Sequence, residues 1–269
     1  MSNVFNINRF GRYFMNELAV ARRNAGLSLA IVSCMPVFVL VVYEFFALVF
    51  TGSFQPVHII AIVASYIISQ MIAVIAFPMR QYGKLTDRRA GSDWLLLPAS
   101  GLEKYLSLLL VSCVVVPMVW IALMAGTDFL LSLIMPGYWE FGFPRFLGFY
   151  SDSLSLIGIH TSPALYVYSG LCVNILYFTL CAVVFRKNKV VWSFLVLWGI
   201  GMIMSVVMSG VLFAEIAQGM DVTLMNPADP EEMMGQISGP IATFTLILMA
   251  VEYVLLLCGL YYRIKTIKH

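Results

Sequence analysis

Charge is what this sequence has least of. Asp, Glu, Lys and Arg supply 11% of its 269 residues, while 61% are hydrophobic. Soluble chains carry about 25% charged and roughly 45–50% apolar residues. The apolar residues are bunched into runs too long for ordinary core helices, and no charged, amphipathic stretch is long enough to fold alone. Soluble, disordered, collagen-like and disulfide-framework classes are therefore excluded, as is a soluble enzyme on one membrane anchor. Catalytic chemistry is equally sparse. The three histidines, His58, His160 and His269, fall at the edges of apolar runs or at the end of the sequence. There is no His-Glu-x-x-His and no Gly-x-Ser-x-Gly. No Gly-x-x-x-x-Gly-Lys-Ser/Thr occurs, so the sequence offers no phosphate-cradling loop for ATP. The five cysteines (Cys34, Cys113, Cys172, Cys181 and Cys258) all sit within apolar runs, as small buried hydrophobes rather than a disulfide framework. These absences point to an all-α polytopic membrane protein that is not an enzyme, holds no metal and has no nucleic-acid partner.

Counting residues between charges places the spans, since a bilayer core about 30 Å thick takes about 20 residues of helix. Six are expected, at about 27–50, 57–79, 105–134, 163–185, 190–214 and 241–262. Thr51-Gly-Ser-Phe-Gln-Pro56 separates the first two. Pro36 and Pro117 predict kinks in spans one and three. An even number of spans puts both termini on one side, and the basic residues say which. Of the 16 Lys and Arg, Arg9, Arg12, Arg22, Arg23, Arg80, Lys84, Arg88, Arg89, Lys104, Arg186, Lys187, Lys189, Arg263, Lys265 and Lys268 fall on the terminal side, leaving only Arg145 opposite. Glu140, Asp152, Glu215, Asp221, Asp229, Glu231 and Glu232 fall with Arg145. Both termini are expected in the cytosol.

The first apolar run is too long for a cleavable signal. Residues 4–24 instead repeat Phe10, Tyr13, Phe14, Leu18 and Ala21 at helical spacing with arginines elsewhere around the turn, the pattern of a helix lying in the cytosolic interface against lipid. External loops are expected at 135–162, aromatic and lying on the outer leaflet, and at 215–239, a solvated acidic cap.

The cytosolic segment 80–104 carries the most information. It joins a charged stretch, Lys84–Asp93, to Trp94-Leu-Leu-Leu97 and then to Pro98. Ser100-Gly-Leu-Glu103 is a capping box that opens the third span, and Pro98 disfavours a straight helical entry into it. Exposed charge beside an apolar tetrad suits docking to a partner. The alternative is a loop folded on the bundle's own end with Trp94 as an interface anchor.

The stretch Asp87-Arg-Arg-Ala-Gly-Ser-Asp-Trp-Leu-Leu-Leu-Pro-Ala-Ser-Gly-Leu-Glu-Lys104 resembles the corresponding loop of permease subunits in the ABC type-2 exporter family, in particular small six-span bacterial versions from Bacteroidetes-like genomes. Over the rest of the chain the resemblance is one of layout only. It implies the type-2 exporter permease bundle in a bacterial inner membrane, paired with a second permease (homo- or heterodimer). It also implies separate ATPase subunits, which would carry the ATP and magnesium, this chain having no cofactor. The loop would then be the coupling element, with Lys84, Asp87, Arg88, Arg89, Asp93, Trp94, Leu95, Ser100 and Glu103 as its candidate residues. One departure stands out: the loop between spans three and four is at least as large as the one between five and six, where much of the family carries its external elaboration.

Three acidic residues remain in or near spans, Glu44, Asp128 and Glu252; a charge at depth normally marks a partner or a water-filled path. Glu44 and Asp128, toward the external ends of their helices, are expected to reach headgroups, with a gate or latch as the alternative. Glu252, midway along span six, is either a protonated acid hydrogen-bonded to a neighbouring helix or a gate or structural latch. Gly201, Ser205 and Ser209 form a small-residue stripe that packs either within the bundle or against a second permease, with Met202, Met204 and Met208 beside it as an adaptable apolar wall. Two other readings stay open: a non-transporting scaffold or sensor-complex subunit, and an ion-coupled secondary transporter using Glu252.

Overall fold

The structure is a computed structural model and describes residues 5–86, 99–156, 162–219 and 230–266; every regular element among them is helical. Six of its helical segments are long and apolar enough to cross a membrane. In chain order the elements are α1 (Ile7–Ala21), a π-turn (Arg22–Gly26), α2 (Leu27–Ser33), α3 (Met35–Thr51), α4 (Ile59–Gln81) and a short 3-10 turn (Gly83–Thr86). Then follow α5 (Gly101–Leu110), a π-turn (Val111–Val115), α6 (Val116–Ile134), α7 (Phe143–Leu156), α8 (Pro163–Val184), α9 (Lys189–Gly219) and α10 (Pro230–Thr266). Six crossings return Thr266 to the side of the bundle where Ile7 lies. That side is called the near end here, the opposite one the far end.

Two prolines shape the bundle by releasing backbone acceptors. Proline has no N–H and its ring clashes with the carbonyl four residues earlier. Pro36 sits in the first turn of α3, and the chain breaks from α2 at Cys34. The carbonyls so exposed are taken by neighbouring helices: Ser69 Oγ of α4 donates to Val32 O at 3.0 Å, and Thr127 Oγ1 of α6 to Ser33 O at 2.8 Å. Pro117 does the same beyond the second π-turn. The carbonyl four residues before it, that of Cys113, accepts Tyr168 OH at 2.5 Å and Cys172 Sγ at 3.3 Å, both from α8. Each break thus becomes an inter-helix hydrogen bond, the use to which apolar surroundings put a freed backbone group. A break at Cys34 thus precedes Pro36, and a π-turn precedes Pro117.

The core is built on α4 and α8, which pack most extensively on each other. In α8, 67% of the most apolar window is buried, against 6% in α9 and 11% in α10. The last two apolar helices therefore lie at the periphery of the single chain. They are tied to α8 by Tyr177 OH donating to Ser193 O at 2.7 Å and Arg263 Nε donating to Val183 O at 3.3 Å. Close approach of α10 to α8 is met at Gly259, where a Cβ would sit 3.4 Å from a Leu180 methyl.

The expectation of loops at 135–162 and 215–239 needs correction. Segment 135–162 is not all loop but holds α7, with Trp139 and Phe146 fully buried and Phe146 stacked on Tyr66 at 4.8 Å between centroids, while Tyr138, Phe141 and Phe149 stay exposed. The acidic segment 215–239 is not a free cap over its described part, because α9 runs on to Gly219 and α10 starts at Pro230. At about 1.5 Å per residue these two helices are about 46 and 55 Å long, well beyond a bilayer core. The first π-turn joins α1 to α2 in one helical run.

Candidate functional site

At the near end, α1 is fixed to the bundle by two buried carboxylates. Glu103 opens α5, ahead of the third span, and is completely buried. Its Oε1 accepts Arg9 Nη2 at 2.7 Å and the Asn6 amide at 2.9 Å, and its Oε2 accepts Arg9 Nε at 2.8 Å and the Ser100 amide at 2.8 Å. Ser100 Oγ in turn accepts the Glu103 amide at 3.3 Å, completing the capping box read from the sequence. The Arg9 guanidinium and those two backbone amides together hold the buried Glu103 carboxylate. The second carboxylate, Glu17, lies on the stripe Tyr13–Glu17–Ala21 that α1 buries. Tyr82 OH donates to it at 3.0 Å from the end of α4, and Ser107 Oγ donates from α5. The described flanks of the charged segment are thus both anchored here. On the entering side, the Gly83 carbonyl also accepts Lys189 Nζ from α9. Lys84 is exposed. Asp87, Arg88, Arg89, Asp93, Trp94 and Leu95 lie outside the described residues.

At the far end, Asp128 gathers a polar knot. Its carboxylate accepts Tyr66 OH from α4 at 2.7 Å, Trp139 Nε1 at 2.7 Å, and the amides of Gly142 and Phe143 at 2.8 and 3.0 Å. The last two are orphan donors at the N-terminus of α7, where a carboxylate is favoured by both hydrogen bonding and the helix dipole. Asp128 is fully buried. The expectation that it reaches headgroups is wrong, because four donors converge on it inside the protein. Gly142 is required at this junction. A Cβ there would fall 2.1 Å from Ile62 Cγ2, and Ile62 is itself fully buried. Gly142→Ala is expected to destabilise the protein by about 1–3 kcal/mol, as overpacking does, read as a lower midpoint in a thermal unfolding scan of detergent-purified protein. An unchanged midpoint would show that the 142 backbone does not approach α4 this closely.

Glu44 is also more buried than expected, at 9% exposure; one oxygen accepts the Gln55 amide at 3.4 Å and the other has no partner among the described residues. The Gln55 amide reaches back to it from the link after Gly52, whose φ of 72° turns the chain out of α3 in the left-handed region that glycine favours. Glu252 is half-buried and lines an apolar cleft between α8, α9 and α10 with a volume of about 900 Å³. It makes no hydrogen bond or ion pair among the described residues, so the structure does not supply the neighbouring-helix hydrogen bond that was one of its two readings. Gly201, Ser205 and Ser209 are all exposed along α9, with the two hydroxyls donating to Met202 O and Val206 O of their own helix at 2.8 Å each. The stripe therefore does not pack within this chain.

The sequence-derived residues thus divide among separate places. Ser100 and Glu103 meet Arg9 at the near end, Asp128 organises the far end, and Glu252 stands alone in a lateral cleft. Sequence reasoning missed Glu17, Tyr66 and Trp139. Glu17 carried a usable signal, since an acid at i+4 from Tyr13 and i−4 from Ala21 interrupts an otherwise apolar face. The described residues contain no cluster of His, Cys, Asp and Glu able to hold a metal ion. Compared with known proteins, the chain matches no protein-family model, no curated protein and no solved structure.

Proposed function

We propose that this chain is the membrane-spanning permease subunit of an ATP-driven exporter of the ABC type-2 kind, working beside a second permease and coupled to separate ATPases. The observation that carries the reading is the anchoring of the charged segment between the second and third spans. Its return point, Ser100–Glu103, is bonded to Arg9 and Asn6 of α1, and its departure point, Tyr82 and Gly83, to Glu17 and Lys189. A push on this segment by a partner would therefore reach α1, α4, α5 and α9 together. That is the mechanical requirement for a coupling element that rocks one bundle against another. The resemblance over Asp87–Lys104 supplies the family, and the exposed small-residue stripe on α9 suits a permease–permease contact, since small residues let helix backbones approach. Exposed Met202 beside the stripe can adapt to a partner surface. Co-purification with a chain bearing a P-loop, and ATP hydrolysis by that complex, is the test; a chain that purifies with no such partner under conditions that keep the bundle folded would refute it.

A second reading, an ion-coupled secondary transporter, draws on one observation, the carboxylate of Glu252 on the lateral cleft, which has no hydrogen bond or ion pair among the described residues. It predicts transport in proteoliposomes that hold no ATPase. The exporter reading predicts none.

In this proposal the near end is cytosolic, in a bacterial inner membrane. Asn188 has a left-handed φ of 49°, so the exposed neighbour Lys187 is the better probe site in the turn between α8 and α9. In a background lacking the native cysteines, Lys187→Cys and Thr266→Cys should resist an impermeant thiol reagent in intact cells, while Asp152→Cys, exposed at the far end, should react. Labelling at 187 in intact cells would reverse the orientation.

A further inference from the structure

The cleft between α8, α9 and α10 is apolar except for a few groups, chiefly Glu252, Thr245, Cys181 and Tyr177. Its volume of about 900 Å³ is in the upper range of pockets that enclose small organic ligands. The Tyr177 hydroxyl is already committed to the Ser193 carbonyl, which leaves the tyrosine ring as an apolar and quadrupolar wall. Phe185 adds a second ring, and Ile200, Met204 and Leu248 supply aliphatic and thioether surface. Met204 and its kind adapt to ligands of varied shape.

Glu252 is the one formal charge on the described lining of this cleft. Among the described residues it makes no salt bridge. The nearest basic residue along α10 is Arg263, 11 positions on, or about 16 Å of helix, and its Nε is turned to the Val183 carbonyl. A carboxylate in apolar surroundings needs a cation or a proton. The Tyr177 ring on the same lining favours a cation of low hydration, one that gives up its water cheaply.

We propose that this cleft binds a lipophilic organic monocation, with Glu252 as the counter-charge and the Tyr177 ring as a wall. As a statement about the exported substrate this rests on the permease reading; as a statement about binding it does not. A neutral lipid chain would fill the same apolar walls without using the carboxylate. A multiply charged solute could not be desolvated there.

The test uses the full-length chain in nanodiscs of neutral phospholipid, without any ATPase, and radiolabelled tetraphenylphosphonium as the probe. Saturable binding is expected. Glu252→Gln should weaken it at least tenfold, Glu252→Asp only a few-fold, and neutral triphenylphosphine oxide should compete poorly. Leu248→Trp, which fills the cleft without touching the charge, should also abolish binding; gel filtration identifies any variant that fails to fold, and the Gln and Asp pair carries the test if the Trp variant does. Equal affinity in wild type and Glu252→Gln, or equal competition by the neutral oxide, would overturn the proposal and leave the cleft as a seat for a lipid chain or for a protonated acid. No saturable binding at all would overturn it too. Loss of the ATPase partnership with cation binding intact would sink the exporter reading alone. Retained ATPase association without cation binding would sink only the ligand assignment.

Discussion

Asp128→Ala should yield almost no folded protein. The substitution strands the Tyr66 hydroxyl, the Trp139 indole N–H and the amides of Gly142 and Phe143, all within a fully buried knot. Each buried donor left without an acceptor costs about 1–3 kcal/mol. Four of them approach or exceed the roughly 5–15 kcal/mol by which folded proteins are stable. Asp128→Asn should fall between, since it keeps one carbonyl acceptor but turns an NH₂ toward groups that are themselves donors. Asp152→Asn, on the exposed side of α7, should behave as wild type. The measurement is yield of monodisperse protein and the midpoint of a thermal scan followed by tryptophan emission, which Trp139 and Trp120 should report because both are buried. A folded Asp128→Ala variant with a midpoint within a degree or two of wild type would mean the knot is not a structural keystone.

The same residue explains what the sequence made legible and what it did not. Six apolar runs of sufficient length are a property of composition along the chain, so the spans could be counted directly, and so could the breaks at Pro36 and Pro117, because proline acts on its own backbone. The capping box at Ser100–Glu103 was equally local. Asp128 was misread because its role depends on partners 62 residues before it and 11 to 15 after it. From the sequence, a carboxylate near the far end of a span looks the same whether it faces headgroups or a ring of donors. The helix α7 was hidden for a related reason. Its aromatics fit a membrane boundary as well as a core, and only the packing of Phe146 on Tyr66 separates the two. Glu17 is invisible to a periodicity of apolar positions, because an acid on the buried stripe shows its role only through its bonds to Tyr82 and Ser107. Glu103, by contrast, was placed by its local motif, while its stronger partner, Arg9, lies 94 residues away and had no sequence signal of its own.

Within the exporter reading, the segment between the second and third spans should carry most of the affinity for the ATPase. In that reading Trp94 and Leu95 would be its apolar anchors, with Asp87, Arg88, Arg89 and Asp93 steering the contact. Aromatic anchors seated in a pocket dominate such interfaces, while rim charges govern register and encounter. Trp94→Ala should therefore weaken the complex by about 2 kcal/mol or more, close to a thirtyfold loss of affinity. Reversing Arg88 and Arg89 together should weaken it strongly at low salt and much less at high salt, where surface charges are screened. Neither change lies in an apolar run, so both variants should insert and remain monodisperse. Glu103→Gln tests the other half of the mechanism. It removes the charge that the Arg9 guanidinium grips while leaving the docking residues untouched, so the ATPase should still bind but its hydrolysis should uncouple from the state of the bundle. The readouts are a pull-down of the ATPase and its activity in nanodiscs with and without substrate. If Trp94→Ala and the double reversal both bind the partner as wild type does, force does not enter through this segment, and the resemblance that names the family loses its only residue-level support.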